Sequence, residues 1–288
     1  NSNRDSMEYE VRFSERGAIE NLFLEKQDQE APLELRTDEV EVDVEAASLN
    51  FRDVLNVLNL YPGDPGLPGC EFSGRITRVG ASVSDFHVGD EVVGLGSRLL
   101  RRSATCSSKT LAAKPRLMSH TEASTLPIVY CTVDLCLREL GALKSGETIL
   151  IHAAAGGVGL AAIQYAQRVG ARIVATASEG KHDMLRGLGV DLISSSRDSE
   201  KFAEDMQRLL GPGGRVDMVL NCLSDNYLPY SLDLLTANTG RFLEIGKRGI
   251  WTADRVSARR PDVAYTRSAV QIDRKSTRLN SSHSDRSR

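Results

Sequence analysis

Cysteine is scarce in this chain and follows no pairing pattern. The five present in 288 residues, Cys70, Cys106, Cys131, Cys136 and Cys222, are odd in number and show no C-x-x-C spacing. That argues against a structural zinc lobe and favours reduced thiols in a cytoplasmic setting. Long hydrophobic runs are missing too: no stretch approaches the ~18 uninterrupted apolar residues of a membrane helix. The opening NSNRDSMEYE lacks the basic-then-apolar pattern of an export signal. The first residue is not methionine, as expected of a piece of a longer polypeptide. Excess positive charge is absent from the body of the chain. The formal net charge is −3, and the last fifteen residues hold five basic groups against one Asp, so the remainder stands near −7. Nucleic-acid binders carry the opposite footprint. The one internal basic cluster, RLLRR at Arg98 to Arg102, reads as a solvated loop.

What is there is an ordinary globular composition, 41% hydrophobic, in two contrasting halves. The first third is β-rich. MEYEVRF places Met7, Tyr9, Val11 and Phe13 on one strand face, and EVEVDVEA does the same with Val40, Val42 and Val44. Between Leu60 and Cys70, YPGDPGLPGC holds three prolines and three glycines, a tight irregular loop of the kind that carries side chains over a site. From about Glu147 strands and helices alternate: ETILIHAA, VGLAAIQYAQRVG, ARIVATAS, GKHDMLRGLG, DLISS, SEKFAEDMQRLL, VDMVLNCL, GRFLEIG. Unbroken apolar strands between helices predict a doubly wound parallel sheet. After Asp273 the pattern stops, and residues 274–288 read as a disordered tail that looks like a translated sequencing adapter.

HAAAGGVGLAA follows a buried strand and opens a helix, the context of a dinucleotide site. Its spacing is AxGGVG and not GxGxxG, so the turn of Gly156, Gly157, Val158 and Gly159 is also readable as a plain strand–helix connection. With further βα units following, it points to a cofactor whose pyrophosphate meets the helix N-terminus. About twenty residues on, Glu179 stands where an NAD site keeps an acid. Ser178, Lys181 and, after the third strand, Arg197 suit a 2′-phosphate better, so NADPH is the expected cofactor. His152 reads as a packed core residue, and Cys70 as a thiol behind the loop with no histidine near it. No metal is expected.

LNFRDVLNVL, YPGDPG, GDEVVGLG, HAAAGGVGLAA, VATASEGK, VLNCL and GRFLEIGK occur in this order. Together they resemble the enoyl reductase domain of type I polyketide synthases and animal-type fatty acid synthases, within the zinc-free medium-chain reductase superfamily. The resemblance covers roughly residues 8 to 265. It implies an α/β chain in which a GroES-like, β-rich substrate domain, 1–125, accompanies a Rossmann domain, 126–273. It also implies NADPH, an enoyl thioester carried on an acyl carrier protein, neighbouring synthase domains as partners and a possible homodimer, with no nucleic acid or membrane partner.

The resemblance assigns roles residue by residue. Lys247 matches the family lysine that donates a proton or stabilises an enolate, with Gly246 beside it on the cofactor side. Tyr61 matches the loop tyrosine associated with the face of α-carbon protonation. Asn50 and Asp53 match positions near the nicotinamide ribose and the active-site loop, and the asparagine equally reads as a helix cap before the helical stretch that NFRD precedes. Thr132 falls in a segment beside the cofactor, although Val133 stands where the family has alanine. Asn221 fits the wall near the nicotinamide ribose. The acid that partners Lys247 in the family has its counterpart at Ala269, which leaves Asp273 as the nearby candidate. The family's final strands and helix have no counterpart, so the chain as written is expected to fold poorly or to be inactive. Two other readings stay open: a stand-alone NADPH quinone or enone oxidoreductase, and a non-catalytic nucleotide-binding domain of a megasynthase.

Overall fold

A computed structural model describes residues 8–27, 34–224, 226–268, 270–271 and 280–281. The chain forms two compact units, one ending at Ile128 and the next beginning at Val129.

In the first unit β1 (Glu8–Phe13) pairs antiparallel with β2 (Leu22–Gln27). Then follow β3 (Glu39–Ala47), α1 (Phe51–Val57), β4 (Glu71–Val79), β5 (Glu91–Leu95), β6 (Ser103–Ser107), β7 (Leu111–Ala113) and α2 (His120–Ala123). The last five strands make one antiparallel sheet in the order β6-β3-β4-β5-β7. Alternation in EVEVDV buries Val40 and Val42 against Phe72, Ile76 and Val92. The intervening Glu41 and Asp43 pair with Arg78 and Arg102. Period two thus divides the strand into a core face and a charged face.

β1 departs from its expected pattern. Tyr9 stands largely exposed and Val11 and Phe13 are half-buried, whereas Glu10 is the buried residue. The cause is the basic cluster read as a solvated loop, and that reading is corrected here. Leu99 joins the sheet's core, the Val11 amide donates to the Leu100 carbonyl at 2.9 Å, and Arg98 donates to both Glu10 oxygens at 3.0 and 2.8 Å. Arg101 stands 3.9 Å from the same carboxylate. A carboxylate is buried only where cations and donors replace its water. Arg98 to Arg102 are therefore an internal tie between β1 and the five-stranded sheet.

α3 (Pro127–Val133) begins at the end of the first unit, continues in the second and runs into a π-helical stretch, Asp134–Leu140. The second unit continues as β8 (Thr148–Ile151), α4 (Gly157–Val169), β9 (Arg172–Ala177), α5 (His182–Gly187), β10 (Leu192–Ser195), α6 (Ser199–Leu210), β11 (Met218–Asn221), α7 (Tyr227–Asp233), β12 (Arg241–Glu244), α8 (Ala253–Arg259) and β13 (Ala264–Arg267). All six strands are parallel, in the order β10-β9-β8-β11-β12-β13. Successive residues of one strand feed opposite cores: Ile149 and Ile151 pack on one face with Ile173, Ala175 and Leu220, and Leu150 on the other with Val174, Val219 and Phe242. Helices cover both faces, so the strands read as continuous apolar runs. The order reverses between β8 and β11, and the crevice outside the carboxyl ends at that point is where such sheets bind ligands. Of the expected tail, the two described residues, Asn280–Ser281, form a short strand. The rest of it lies outside the described residues.

Candidate functional site

The glycine turn fills the connection between β8 and α4. Gly156 caps α4 with extended backbone, and Ala153 before it takes a left-handed φ of 48°. The glycines play different parts. A Cβ on Gly159 would stand 2.5 Å from the Cα and carbonyl oxygen of Ala154, so that glycine is required by the packing of the turn on itself. On Gly156 it would meet only the Ala153 carbonyl at 3.3 Å, and on Gly157 only Val129 at 3.1 Å. Gly156 and Gly157 are exposed. They leave open backbone in front of the first amides of a thirteen-residue helix, whose N–H groups have no intrahelical acceptor. A pyrophosphate fits this cradle, and side chains on the two exposed glycines would fill it. Thr132 lies on α3 one turn beyond Val129, the residue that meets the cradle.

At the carboxyl ends of β9 and β10 stand the groups expected to choose between phosphate and hydroxyl. Ser178 follows β9, and Lys181 and Arg197 are both exposed. Neither has an ion-pair partner among the described residues. Glu179 does: Lys201 of α6 donates to its Oε1 at 2.9 Å. That contact holds the Glu179 carboxyl below its ordinary range. The acid that would serve a ribose diol is thus already engaged by a cation.

β11 and β12 end in a polar pair. Asn221 is wholly buried, and its Nδ2 donates to the Leu223 carbonyl at 2.8 Å and to Glu244 Oε2 at 2.7 Å, while its Oδ1 accepts from the Leu223 amide at 3.2 Å. Its side chain is therefore spent inside the protein, and the β11 exit it shapes is what it offers the crevice. Glu244 is 1% exposed and also accepts from the Gly246 amide at 2.7 Å. Burial pushes its carboxyl up to about 7 against the pull of those donors and of Lys247 and Arg267. A Cβ on Gly246 would lie 2.7 Å from Glu244 Oε1. Lys247 follows, half-buried, its Nζ donating to the Ser268 carbonyl at 3.4 Å. Asp273 and Ala269, the positions weighed as its acidic partner, lie outside the described residues.

His152 is packed where the sequence places it. Its ring nitrogens meet Thr176 Oγ1 at 3.1 Å and Ser231 Oγ at 2.8 Å between the rings of Phe202 and Tyr227. Burial lowers its basicity to about 3, so it stands neutral.

In the first unit, the Asn50 amide donates to Asp53 Oδ2 at 2.9 Å, which closes the start of α1. The Asn50 side chain points elsewhere, donating to Glu71 Oε1 at 2.7 Å and to Cys70 Sγ at 3.5 Å. Glu71 is buried and also accepts from the Ser48 hydroxyl and from the Ile128 amide at 2.7 Å. Burial, then the charge of Asp53, pushes the Cys70 thiol well above its ordinary range. Tyr61 is half-buried, with the Arg52 guanidinium 5.6 Å from its ring centre. Its loop is braced by Arg16, which donates to Asn56 Oδ1 at 2.9 Å, Asp64 Oδ1 at 2.5 Å and the Gly66 carbonyl at 3.1 Å. Gly69, at φ 92°, passes so close to Leu99 and Leu100 that a Cβ would sit 2.6 Å from a backbone nitrogen.

Sequence reasoning missed three buried carboxylates, Glu10, Glu71 and Glu244. The available signal for Glu244 was an acid ending an otherwise apolar strand, RFLE. Among the described residues no group of three or more His, Cys, Asp or Glu is arranged to hold a metal ion, and no helix is long and apolar enough to cross a membrane.

Residues 36–122 match the alcohol dehydrogenase GroES-like domain family and residues 157–272 the zinc-binding dehydrogenase family. The chain is 40% identical over 253 residues to the pikromycin polyketide synthase component PikAII of Streptomyces venezuelae, covering 86% of this chain and 7% of that protein. With erythronolide synthase EryA2 of Saccharopolyspora erythraea it shares 44% over 234 residues, 80% of this chain and 6% of the synthase. It thus spans a small part of the curated relatives it matches. Among solved structures, the CurK enoyl reductase superposes with a TM-score of 0.83 at 43% identity, covering 90% of this chain and 80% of that one. The Escherichia coli quinone oxidoreductase complexed with NADPH superposes with a TM-score of 0.78 at 27% identity, covering 91% and 81%. These likenesses make the first unit GroES-like and the parallel sheet Rossmann-like.

Proposed function

Because this chain belongs to the polyketide synthase enoyl reductases of the medium-chain dehydrogenase/reductase superfamily, we propose that it reduces the α,β-double bond of an enoyl thioester with NADPH. The observation that carries this reading is the exposed Gly156–Gly157 cradle at the sheet's switch point, in a chain 43% identical to the CurK enoyl reductase. NADPH, when bound, supplies the hydride that reaches the β-carbon. The chain's own residues hold, orient and protonate. The first amides of α4, at Gly157, Val158 and Gly159, hold the pyrophosphate. Ser178, Lys181 and Arg197 take the 2′-phosphate, with Glu179 neutralised by Lys201. Asn50, Thr132, Asn221 and Gly246 shape the nicotinamide end. Lys247 stabilises the enolate or delivers the proton to the α-carbon, Asp273 is its acidic partner, and Tyr61 sets the face of protonation. The chemistry is zinc-free, with Cys70 held by Asn50. The substrate is an acyl chain on a carrier protein of the same synthase, the boundary between the GroES-like and Rossmann domains lies at 125/126, and the protein works in the cytoplasm, pairing with a second copy of itself.

A second reading, a quinone oxidoreductase, is favoured by the likeness to the E. coli enzyme. Following NADPH absorbance with a crotonyl thioester and, in parallel, a simple quinone separates them. Thioester-dependent oxidation that disappears in Lys247→Ala is the expected result. Turnover of the quinone alone would transfer the assignment to the second reading. Cofactor binding with neither reaction would leave a nucleotide-binding structural domain.

A further inference from the structure

Lys247 does not stand on the strand itself. It stands on the turn that leaves β12, and that turn is tied to the neighbouring strand by one buried carboxyl. Glu244 Oε2 accepts from Asn221 Nδ2 and Oε1 accepts from the Gly246 amide, each at 2.7 Å. The registers agree, since Asn221 and Glu244 face each other across the parallel ladder and the Ile245 amide donates to the Asn221 carbonyl at 2.9 Å. Gly246 carries no Cβ where Oε1 lies. We infer that Glu244 is a positioning residue: its carboxyl pins the exit of β11 to the Gly246 amide and so fixes the turn that presents Lys247 to the crevice. The inference rests on Lys247 being the group at the reacting thioester.

Both contacts of Glu244 are with N–H donors, and an ionised carboxylate is the stronger acceptor for each. Glutamine has the same shape, but its amide nitrogen cannot accept, so Glu244→Gln breaks one of the two contacts. Other charged and titratable groups feel this carboxyl: Lys247 on the same turn, Arg267 and Tyr265 on β13, and Cys222 after β11. Burial holds the tyrosine and the thiol neutral through this range, and the Glu244 carboxyl is pushed into it.

The test is competitive acetylation of Lys247 by acetic anhydride between pH 6 and 9, quantified by mass spectrometry against the chain's other lysines, alongside thioester turnover. With the tie cut, the amine loses its nearby negative charge and its fixed turn. Lys247 should then be acetylated several-fold faster at pH 8 in Glu244→Gln, without the inflection near pH 7 expected of the unaltered protein. Gly246→Ala, which drives a Cβ onto Oε1 but keeps the carboxyl, should raise the rate by a smaller factor through the displaced turn alone, and decides the matter should Glu244→Gln not fold. Equal Lys247 rates and profiles in the variants and the unaltered protein would overturn the inference. Absence of thioester turnover in the unaltered protein would instead remove the functional reading, and the acetylation result would still stand for the tie.

Discussion

Gly159 and Gly156 are two letters of one motif with different physical duties. An alanine at 159 puts its Cβ 2.5 Å from the Ala154 backbone, an overpacking that costs about 1–3 kcal/mol because neither backbone can withdraw. An alanine at 156 sits at a helix cap with φ −89° and meets one carbonyl at 3.3 Å, so it should cost about 0.5–1 kcal/mol as a poorer cap. Its methyl group also occupies the cradle. Gly159→Ala should therefore lower the thermal midpoint more, while Gly156→Ala should lower it less and weaken NADPH at least tenfold by fluorescence titration. Equal thermal losses in both would mean the turn is structural throughout. At the same scale, Lys181→Ala and Arg197→Ala should each weaken NADPH roughly tenfold, the ~1.4 kcal/mol of one charge-assisted contact, and leave NADH binding unchanged. NADH bound as tightly as NADPH by the unaltered protein would reverse the cofactor assignment.

β1 shows that an element's attachment can rest on one ion cluster. Glu10 is enclosed by Arg98 and Arg101, and Glu10→Ala strands two half-buried guanidinium groups. Fully buried pairs lose about 3–5 kcal/mol when one partner is removed, and the partial exposure of both arginines brings the expectation down to about 2 kcal/mol. Arg12, paired with Glu25 on the open face of the same hairpin, should cost far less on removal, because solvent screens an exposed pair. Urea unfolding of Glu10→Ala and Arg12→Ala checks the contrast, and similar midpoints would deny the cluster its role. The hairpin also marks the limit of what sequence patterning conveys. β8 to β12 were legible because a strand buried on both faces must be apolar at every position, and Ile149, Leu150 and Ile151 satisfy that rule. α6 was legible because Phe202 and Met206 recur at helical spacing. Glu10 and Glu71 were not, since an acid at a strand position looks like a solvent-facing residue until its donors, far away in the chain, are known, and Glu244 showed only as an acid closing an apolar strand. The site divides the same way: the glycine turn and Lys247 carry local signals, whereas the Asn221–Glu244 tie and the Lys201–Glu179 pair depend on strands and helices brought together by the fold.

Two buried groups of the parallel-sheet unit pull the whole molecule's pH dependence in opposite directions. Glu244 has an ordinary value of 4.5 and about 7 when folded. Between those limits the native state keeps a proton that the unfolded chain has released, so this group alone makes stability fall as pH rises. His152 has an ordinary value of 6.5 and about 3 when folded. Over its interval the unfolded chain holds a proton that the native state refuses, so stability rises with pH. Each full proton is worth about 1.4 kcal/mol per pH unit, and the intervals overlap from 4.5 to 6.5, where the two slopes oppose each other. Ion-paired carboxylates such as Asp134, held low chiefly by Arg138, titrate beneath this window. Unfolding free energy should therefore vary little from pH 4.5 to 6.5 in the unaltered protein. Glu244→Gln should unmask the histidine, with stability climbing by about 2–3 kcal/mol across the window. His152→Gln should unmask the carboxyl, with a fall of similar size. Urea midpoints at pH 4.5, 5.5 and 6.5 measure both slopes, and slopes of the same sign in the two variants would contradict the assignment. Since the readout is a difference between variants, it needs neither cofactor nor substrate, and it tests whether the carboxyl that ties β11 to the Lys247 turn changes its charge near neutrality.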